Sequence, residues 1–199
     1  MRELLSDIFS WPWFSTPHGY DFNGHWLALP DGNLCIDPVD APPEVLAELA
    51  RRGTARILLT NRNHVRDANR VRSRTGARTA IHPADAAYAT GQGAEIDDAL
   101  HVGERIGPLT VVAADGKSPG EVAFHWPERR ILIVGDVLIG NPPGHCGILR
   151  DKVMDDPTQL RASVRRLLEL DFDTLLVGDG VPILSGAKQC LSELVDSWS

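Results

Sequence analysis

The alternation of strands and helices along this chain predicts an α/β protein, a four-layer αββα sandwich of two mixed β-sheets flanked by helices. Three observations carry that expectation. Short apolar runs bounded by turn residues open both halves of the chain, strands alternate with amphipathic helices in the middle of the first half, and the chain closes on helix–strand–helix. Helices that alternate with strands in this order bury their apolar stripes on the outer faces of two packed sheets. At 199 residues the chain is long enough for one domain with a substantial core, and residues 1–199 are read as a single domain.

Each element has its own signal. Residues 1–22, with Trp11-Pro12-Trp13-Phe14 and Pro17, read as an irregular aromatic arm. Its rings need burial on the domain or against a second copy, a homodimer. His25–Leu29 and Leu34–Asp37 read as two strands joined through Pro30-Asp31-Gly32-Asn33. Pro42-Pro43 opens a helix carrying Val45, Leu46, Leu49 and Ala50 on one face, and Gly53 ends it. A strand over Ile57–Thr60 precedes a helix over Asp67–Arg74 stopped by Gly76, then a strand at Thr79–Ile81 and an alanine-rich helix from Pro83. Strands are expected at Leu100–Val102, Leu109–Ala113, Val122–Trp126 and Ile131–Val134, the last two joined by Pro127-Glu128-Arg129-Arg130. Asp156-Pro157 begins a helix with the aspartate as N-cap, and Leu160, Val164, Leu167 and Leu168 form its buried stripe. Strand Thr174–Val177 leads to a last helix with Leu191, Leu194, Val195 and Trp198 on one side.

Composition narrows the function classes. A net charge of −7 argues against a nucleic-acid surface, where a basic footprint is expected. No apolar run approaches the roughly 18 residues that cross a bilayer, so no membrane partner is expected. The opening Met1-Arg2-Glu3-Leu4-Leu5-Ser6-Asp7 lacks the apolar core of a secretory signal. Cys35, Cys146 and Cys190 are odd in number and have no CxxC spacing, which fits a reducing, cytoplasmic setting. The chain has no phosphate-binding P-loop.

Four segments carry the chemistry. Leu58-Leu59-Thr60-Asn61-Arg62-Asn63-His64-Val65-Arg66 closes an apolar strand, and Gly116-Lys117-Ser118-Pro119-Gly120 is a tight turn. Ile131-Leu132-Ile133-Val134-Gly135-Asp136 and Leu176-Val177-Gly178-Asp179-Gly180-Val181-Pro182 each deliver an aspartate past a strand end. In order and spacing these segments, from about Asn23 onward, resemble the metallo-β-lactamase fold family. Its first motif is Thr-His-x-His-x-Asp-His after a buried strand, its second a Gly-His-Thr-Pro-Gly turn. Asp37 matches an aspartate that lies below the site in that family.

The resemblance implies two divalent ions that share a bridging carboxylate and activate a water for hydrolysis. Most of the implied ligands are replaced. The first-motif histidines fall on Asn61, Asn63 and Arg66 and its aspartate on Val65, while the third histidine falls on Lys117 and the last on Asp179. Only Asp136 keeps its ligand type. Asparagine is a poor zinc ligand and valine is none, which argues against a binuclear zinc site.

Two constructions of the site are open. In one, Lys117, with Arg66, supplies the positive charge of the missing metal between Asp136 and Asp179, and Asn61 and Asn63 complete a polar network. In the other, His64, Asp136, Asp179 and His145 hold one divalent ion, zinc, iron or manganese. Plainer roles stand beside both: His64 as a helix-start hydrogen-bonder, His145 as an exposed loop residue, Asp136 as a cap and Asp179 as a turn residue.

The resemblance implies a hydrolase-like protein acting on an ester, thioester or phosphoester. Asp136 or Asp179 would act as base or ligand, and Lys117 or Arg66 would stabilise the oxyanion. The alternative is a non-catalytic domain that binds a small anion or another protein chain, its Lys/Arg–Asp network standing in for the metals. An unidentified small-molecule or anionic ligand is expected in either case.

Overall fold

In the computed structural model, which describes residues 1–198, the chain divides into two compact units that meet in sequence at Leu100–His101. Each unit is built on one mixed sheet.

The first unit opens with an antiparallel meander, β1 (Arg2–Leu5), β2 (Ile8–Ser15), β3 (Tyr20–Leu27) and β4 (Leu34–Ile36). The irregular arm expected over residues 1–22 is therefore corrected: those residues form two strands and begin a third. Pairing explains it: β2 is hydrogen-bonded to β1 and along its whole length to β3, with Trp11 buried while Trp13 and Phe14 stay exposed. The Trp11 indole packs on Gly24, where a Cβ would come within 2.4 Å of the ring, and its N–H donates to the Val39 carbonyl. Pro12 is tolerated because β1 pairs only as far as Ser10, so Pro12 faces no strand on that side.

From β4 the sheet turns parallel. β5 (Arg56–Leu58), β6 (Arg78–Ile81) and β7 (Asp98–Ala99) follow α1 (Pro43–Arg52), α2 (Ala68–Thr75) and α3 (Pro83–Gly91) in turn. Parallel neighbours require such crossovers. α1 starts at Pro43 and stops at Gly53, whose φ of 80° suits glycine. α2 ends at Gly76 in the left-handed region, with its N–H bonded to the Arg72 carbonyl. The buried faces of these helices join Trp11, Trp26, Cys35, Ile57 and Ile81 in one apolar core.

The second unit carries β8 (Arg105–Ile106), β9 (Leu109–Ala113), β10 (Val122–Trp126), β11 (Ile131–Val134) and β12 (Thr174–Val177), in the spatial order β12-β11-β10-β9-β8. β11 and β12 are parallel and joined through α4 (Pro157–Leu168), whose N-cap Asp156 accepts from the Gln159 N–H at 2.9 Å. α5 (Ala187–Asp196) follows β12. Leu160, Val164, Leu167 and Leu191 pack with Leu132, Val134, Leu175 and Val177 in the core of this unit.

The strand expected at Leu100–Val102 is displaced. Gly103, at φ 86°, turns the chain there, and pairing falls instead on Asp98–Ala99 and Arg105–Ile106. Among the described residues no helix is long and apolar enough to cross a membrane.

Candidate active site

Asp37, the Thr60–Arg66 turn, Asp136 and Asp179 lie just past the C-terminal ends of paired parallel strands, where α/β sheets place their ligand-binding loops, while Lys117 follows the antiparallel β9.

In the first unit β4 and β5 are paired with Ile36 opposite Leu58, so Asp37 and Leu59-Thr60 leave the sheet side by side. Asp37 is buried at φ 47°, a conformation that costs a non-glycine residue roughly 1 kcal/mol. Its carboxylate accepts from the Thr60 N–H at 2.8 Å and the Thr60 hydroxyl at 2.6 Å. The turn that follows is held by Asn61, whose side-chain oxygen accepts the Asn63 N–H at 2.8 Å and whose carbonyl accepts the His64 N–H at 3.1 Å. Asn61 is buried within this turn and Asn63 is exposed.

The turn carries the His64 ring to full burial. Its Nδ1 lies 2.7 Å from Asp37 Oδ2, and its Nε2 lies 3.0 Å from a terminal nitrogen of Arg66. Arg66 has a φ of 24° and stacks its guanidinium 4.1 Å from the centre of the Phe22 ring. Strained non-glycine positions of this kind collect at functional sites.

In the second unit Val134 of β11 pairs with Val177 of β12, so Asp136 and Asp179 occupy equivalent positions two residues beyond the sheet. Both are buried. The segments stay together past the strands: the Gly140 N–H donates to the Asp179 carbonyl at 2.9 Å, and the Val181 N–H donates to the Gly140 carbonyl at 2.8 Å. Side chains are excluded there, since a Cβ on Gly180 would come within 2.5 Å of the Gly140 oxygen.

Lys117 follows Gly116, whose φ is 139° and whose Cβ would come within 2.3 Å of the Leu160 backbone nitrogen. The lysine side chain is turned inward, with Nζ 3.5 Å from Asp136 Oδ2 and about a tenth of its surface exposed. Glu121, buried at the head of β10, accepts the Val137 N–H at 2.8 Å and so fixes the turn that presents Asp136. His145 does not share this burial. It is exposed, with Nδ1 3.3 Å from the Pro143 carbonyl.

Sequence reasoning singled out His64, Arg66, Lys117, Asp136 and Asp179 and missed the supporting parts. Thr60 was legible only as the threonine that opens the first motif, and Glu121 only as a polar residue beside a mostly apolar strand, a weak signal. Phe22 lay inside the stretch read as irregular.

The sequence matches the family described as "Metallo-beta-lactamase superfamily" over residues 1–198. This chain belongs to the metallo-β-lactamase superfamily. Its similarity to the hydroxyacylglutathione hydrolase of Cereibacter sphaeroides is 32% identity over 153 residues, covering 71% of this chain and 54% of that protein. Against the hydroxyacylglutathione hydrolase of a Methylobacterium species it is 34% over 143 residues, covering 68% and 52%. The chain thus spans about half the length of the curated relatives it matches. Among solved structures, that of TTHA1623 in a di-iron-bound form is similar with a TM-score of 0.70 at 28% identity, over 90% of this chain and 96% of that one. A metallo-β-lactamase from Pontibacter korlensis gives a TM-score of 0.79 at 15% identity, over 98% and 96%, a likeness of fold alone. The shared architecture is α/β, two mixed sheets flanked by helices. Within this superfamily the chain is divergent, because its first motif reads Thr60-Asn61-Arg62-Asn63-His64-Val65-Arg66.

Proposed function

We propose that this superfamily member is a hydrolase of an ester or thioester that works without the family's binuclear metal site. The observation that carries the proposal is the chain Asp37–His64–Arg66, in which a buried carboxylate orients a buried imidazole whose second nitrogen meets a half-buried guanidinium. The motif segments of both units are taken as parts of one site, as the resemblance implies.

The residues do not fit two ions. Asn61, Asn63, Val65, Arg66 and Lys117 stand at implied ligand positions, and two of the ligand-type groups that remain already meet side-chain cations: Arg66 on His64, Lys117 on Asp136. The thioester class is taken from the relatives named hydroxyacylglutathione hydrolase.

An anionic substrate would draw Arg66 from His64 Nε2. With Nδ1–H held by Asp37, His64 then takes a proton from a water that adds to the carbonyl carbon. Arg66 and Lys117 stabilise the oxyanion. When the tetrahedral intermediate collapses, the carbon–sulfur or carbon–oxygen bond breaks and His64 returns the proton to the leaving atom. Asp136, 3.5 Å from the ammonium, holds Lys117 in place.

A second reading keeps one divalent ion, zinc, iron or manganese, on His64, Asp136 and Asp179. The carboxylate behind His64 favours it, since metal-binding histidines carry such partners. It requires Arg66 and Lys117 to withdraw, and His145 stays outside it. The non-catalytic reading keeps the cations in place and binds a small anion.

The deciding experiment assays hydroxyacyl-glutathione thioesters and simple aryl esters with chelator-treated protein and with protein dialysed against zinc, iron or manganese. Metal content is followed by plasma mass spectrometry. Chelator-resistant turnover lost in His64→Gln supports the proposal. Turnover that requires one bound ion per chain selects the second reading. No turnover, with thermal stabilisation by small anions, selects the binding domain.

A further inference from the structure

Two of the three free cysteines meet where the loop after β11 runs beside α5. Cys146 is buried in the loop between β11 and α4, and Cys190 is half-buried on the first turns of α5. The Cys146 backbone N–H donates to Cys190 Sγ at 2.9 Å, and the Cys190 thiol donates to the Gly144 carbonyl at 3.5 Å. Burial, reinforced by the neighbouring Cys190 thiol, pushes the Cys146 thiol up from its ordinary range. Cys35 lies apart, fully buried in the core of the first unit.

The loop has a defined place. It leaves the sheet with Asp136, pairs Ile139 with Gly147, and is tied at Gly140 to the backbone on both sides of Gly180. Whatever fixes Cys146 therefore fixes the segment that starts at Asp136 and hydrogen-bonds to the backbone of Asp179.

We propose that Cys146 and Cys190 are a redox pair that closes to an intramolecular disulfide on exposure to hydrogen peroxide, pinning this loop to α5. Cys190, the more exposed sulfur, attacks the peroxide oxygen. The O–O bond breaks, leaving a sulfenic acid on Cys190 and a molecule of water. The Cys146 sulfur then attacks the Cys190 sulfur, loses its proton and displaces a second water as the S–S bond forms. Two thiols lose two protons and two electrons, and the peroxide is reduced to two molecules of water. The pair stands independently of the proposed hydrolysis.

The test treats the full chain, and the Cys35→Ser variant, with a modest excess of hydrogen peroxide, blocks remaining thiols with iodoacetamide, and maps peptides without reduction. The expected result is that Cys146 and Cys190 are lost together, in a peptide pair lighter by about 2 Da and restored by dithiothreitol. In Cys190→Ala, Cys146 should stay open to alkylation under the same treatment. Tryptic cleavage after the exposed Arg150 should be slower in the oxidised chain than in the reduced one. A stable sulfinic acid on Cys190 with Cys146 still alkylated, or a link between two chains, overturns the proposal. The wild-type peptide map decides the matter even where a variant folds poorly.

Discussion

The His64 imidazole sits between Asp37, 2.7 Å from Nδ1, and Arg66, 3.0 Å from Nε2, and the arginine settles the direction of both bonds. A guanidinium carries donors only, so Nε2 accepts. The ring proton then belongs on Nδ1, where it is donated to Asp37. The Thr60 hydroxyl donates to the same carboxylate, leaving Asp37 as the common acceptor of a buried cluster.

Nitrogen chemical shifts of selectively labelled histidine should therefore place His64 in the Nδ1–H tautomer at neutral pH. In Arg66→Met the same tautomer should persist, because Asp37 still holds the Nδ1 proton. An Nε2–H signal in the wild-type chain would contradict both the bond directions and the role of His64 as a base.

Lys117 and Asp136 form the corresponding pair in the second unit. At 3.5 Å, with both side chains nearly excluded from solvent, removing the ammonium leaves a buried carboxylate to bear the full cost of desolvation. Lys117→Met should lower unfolding stability by about 3 kcal/mol. Adding Asp136→Asn should recover part of that loss, with a coupling on the order of 1–3 kcal/mol in a double-mutant cycle read by urea denaturation. Additive effects would mean that the ammonium and the carboxylate do not act as a pair.

The fold was legible wherever periodicity and punctuation agree. Gly53 and Gly76 end helices where glycine predicts, and Asp156-Pro157 starts one. The N-terminal strands were not legible, because Pro12 and a cluster of aromatics imitate a loop, and only pairing with β3 on one side alone explains the proline. Asp136 and Asp179 could be named from sequence, but their equivalence follows from the Val134–Val177 register, which no local signal encodes. Arg66 could be placed in the motif, while its contact with Phe22 rests on a long-range pairing of strands.

Gly116 offers a sharper backbone test. A methyl group there meets the Leu160 backbone at 2.3 Å, and the φ of 139° is itself unfavourable for other residues. The Asp156 N–H also donates to the Gly116 carbonyl at 2.8 Å, so a shift of this turn moves the start of α4 along with Lys117. Gly116→Ala should cost about 3 kcal/mol and lower the thermal midpoint by several degrees. Gly144→Ala, at a position with nothing within 4 Å of its Cβ, should lose only the smaller amount set by its φ of 82°.

Asp67 makes the pH dependence testable. Burial raises its carboxyl above the ordinary range, outweighing the Ala41 N–H it accepts at 3.0 Å and the Arg70 guanidinium at 3.2 Å. A group whose folded pKa is raised binds its proton more tightly in the native state. Its contribution to stability is therefore complete below the unfolded pKa, near 3.9, and is lost as pH rises through the folded value. Asp67→Asn keeps an acceptor for Ala41 and removes the titration. The stability of the wild type relative to Asp67→Asn should therefore fall as pH is raised from about 4 toward neutrality, in chemical denaturation at a series of pH values. A difference that grows over the same range would mean that Arg70 outweighs burial and that the native carboxylate is favoured in its ionised form.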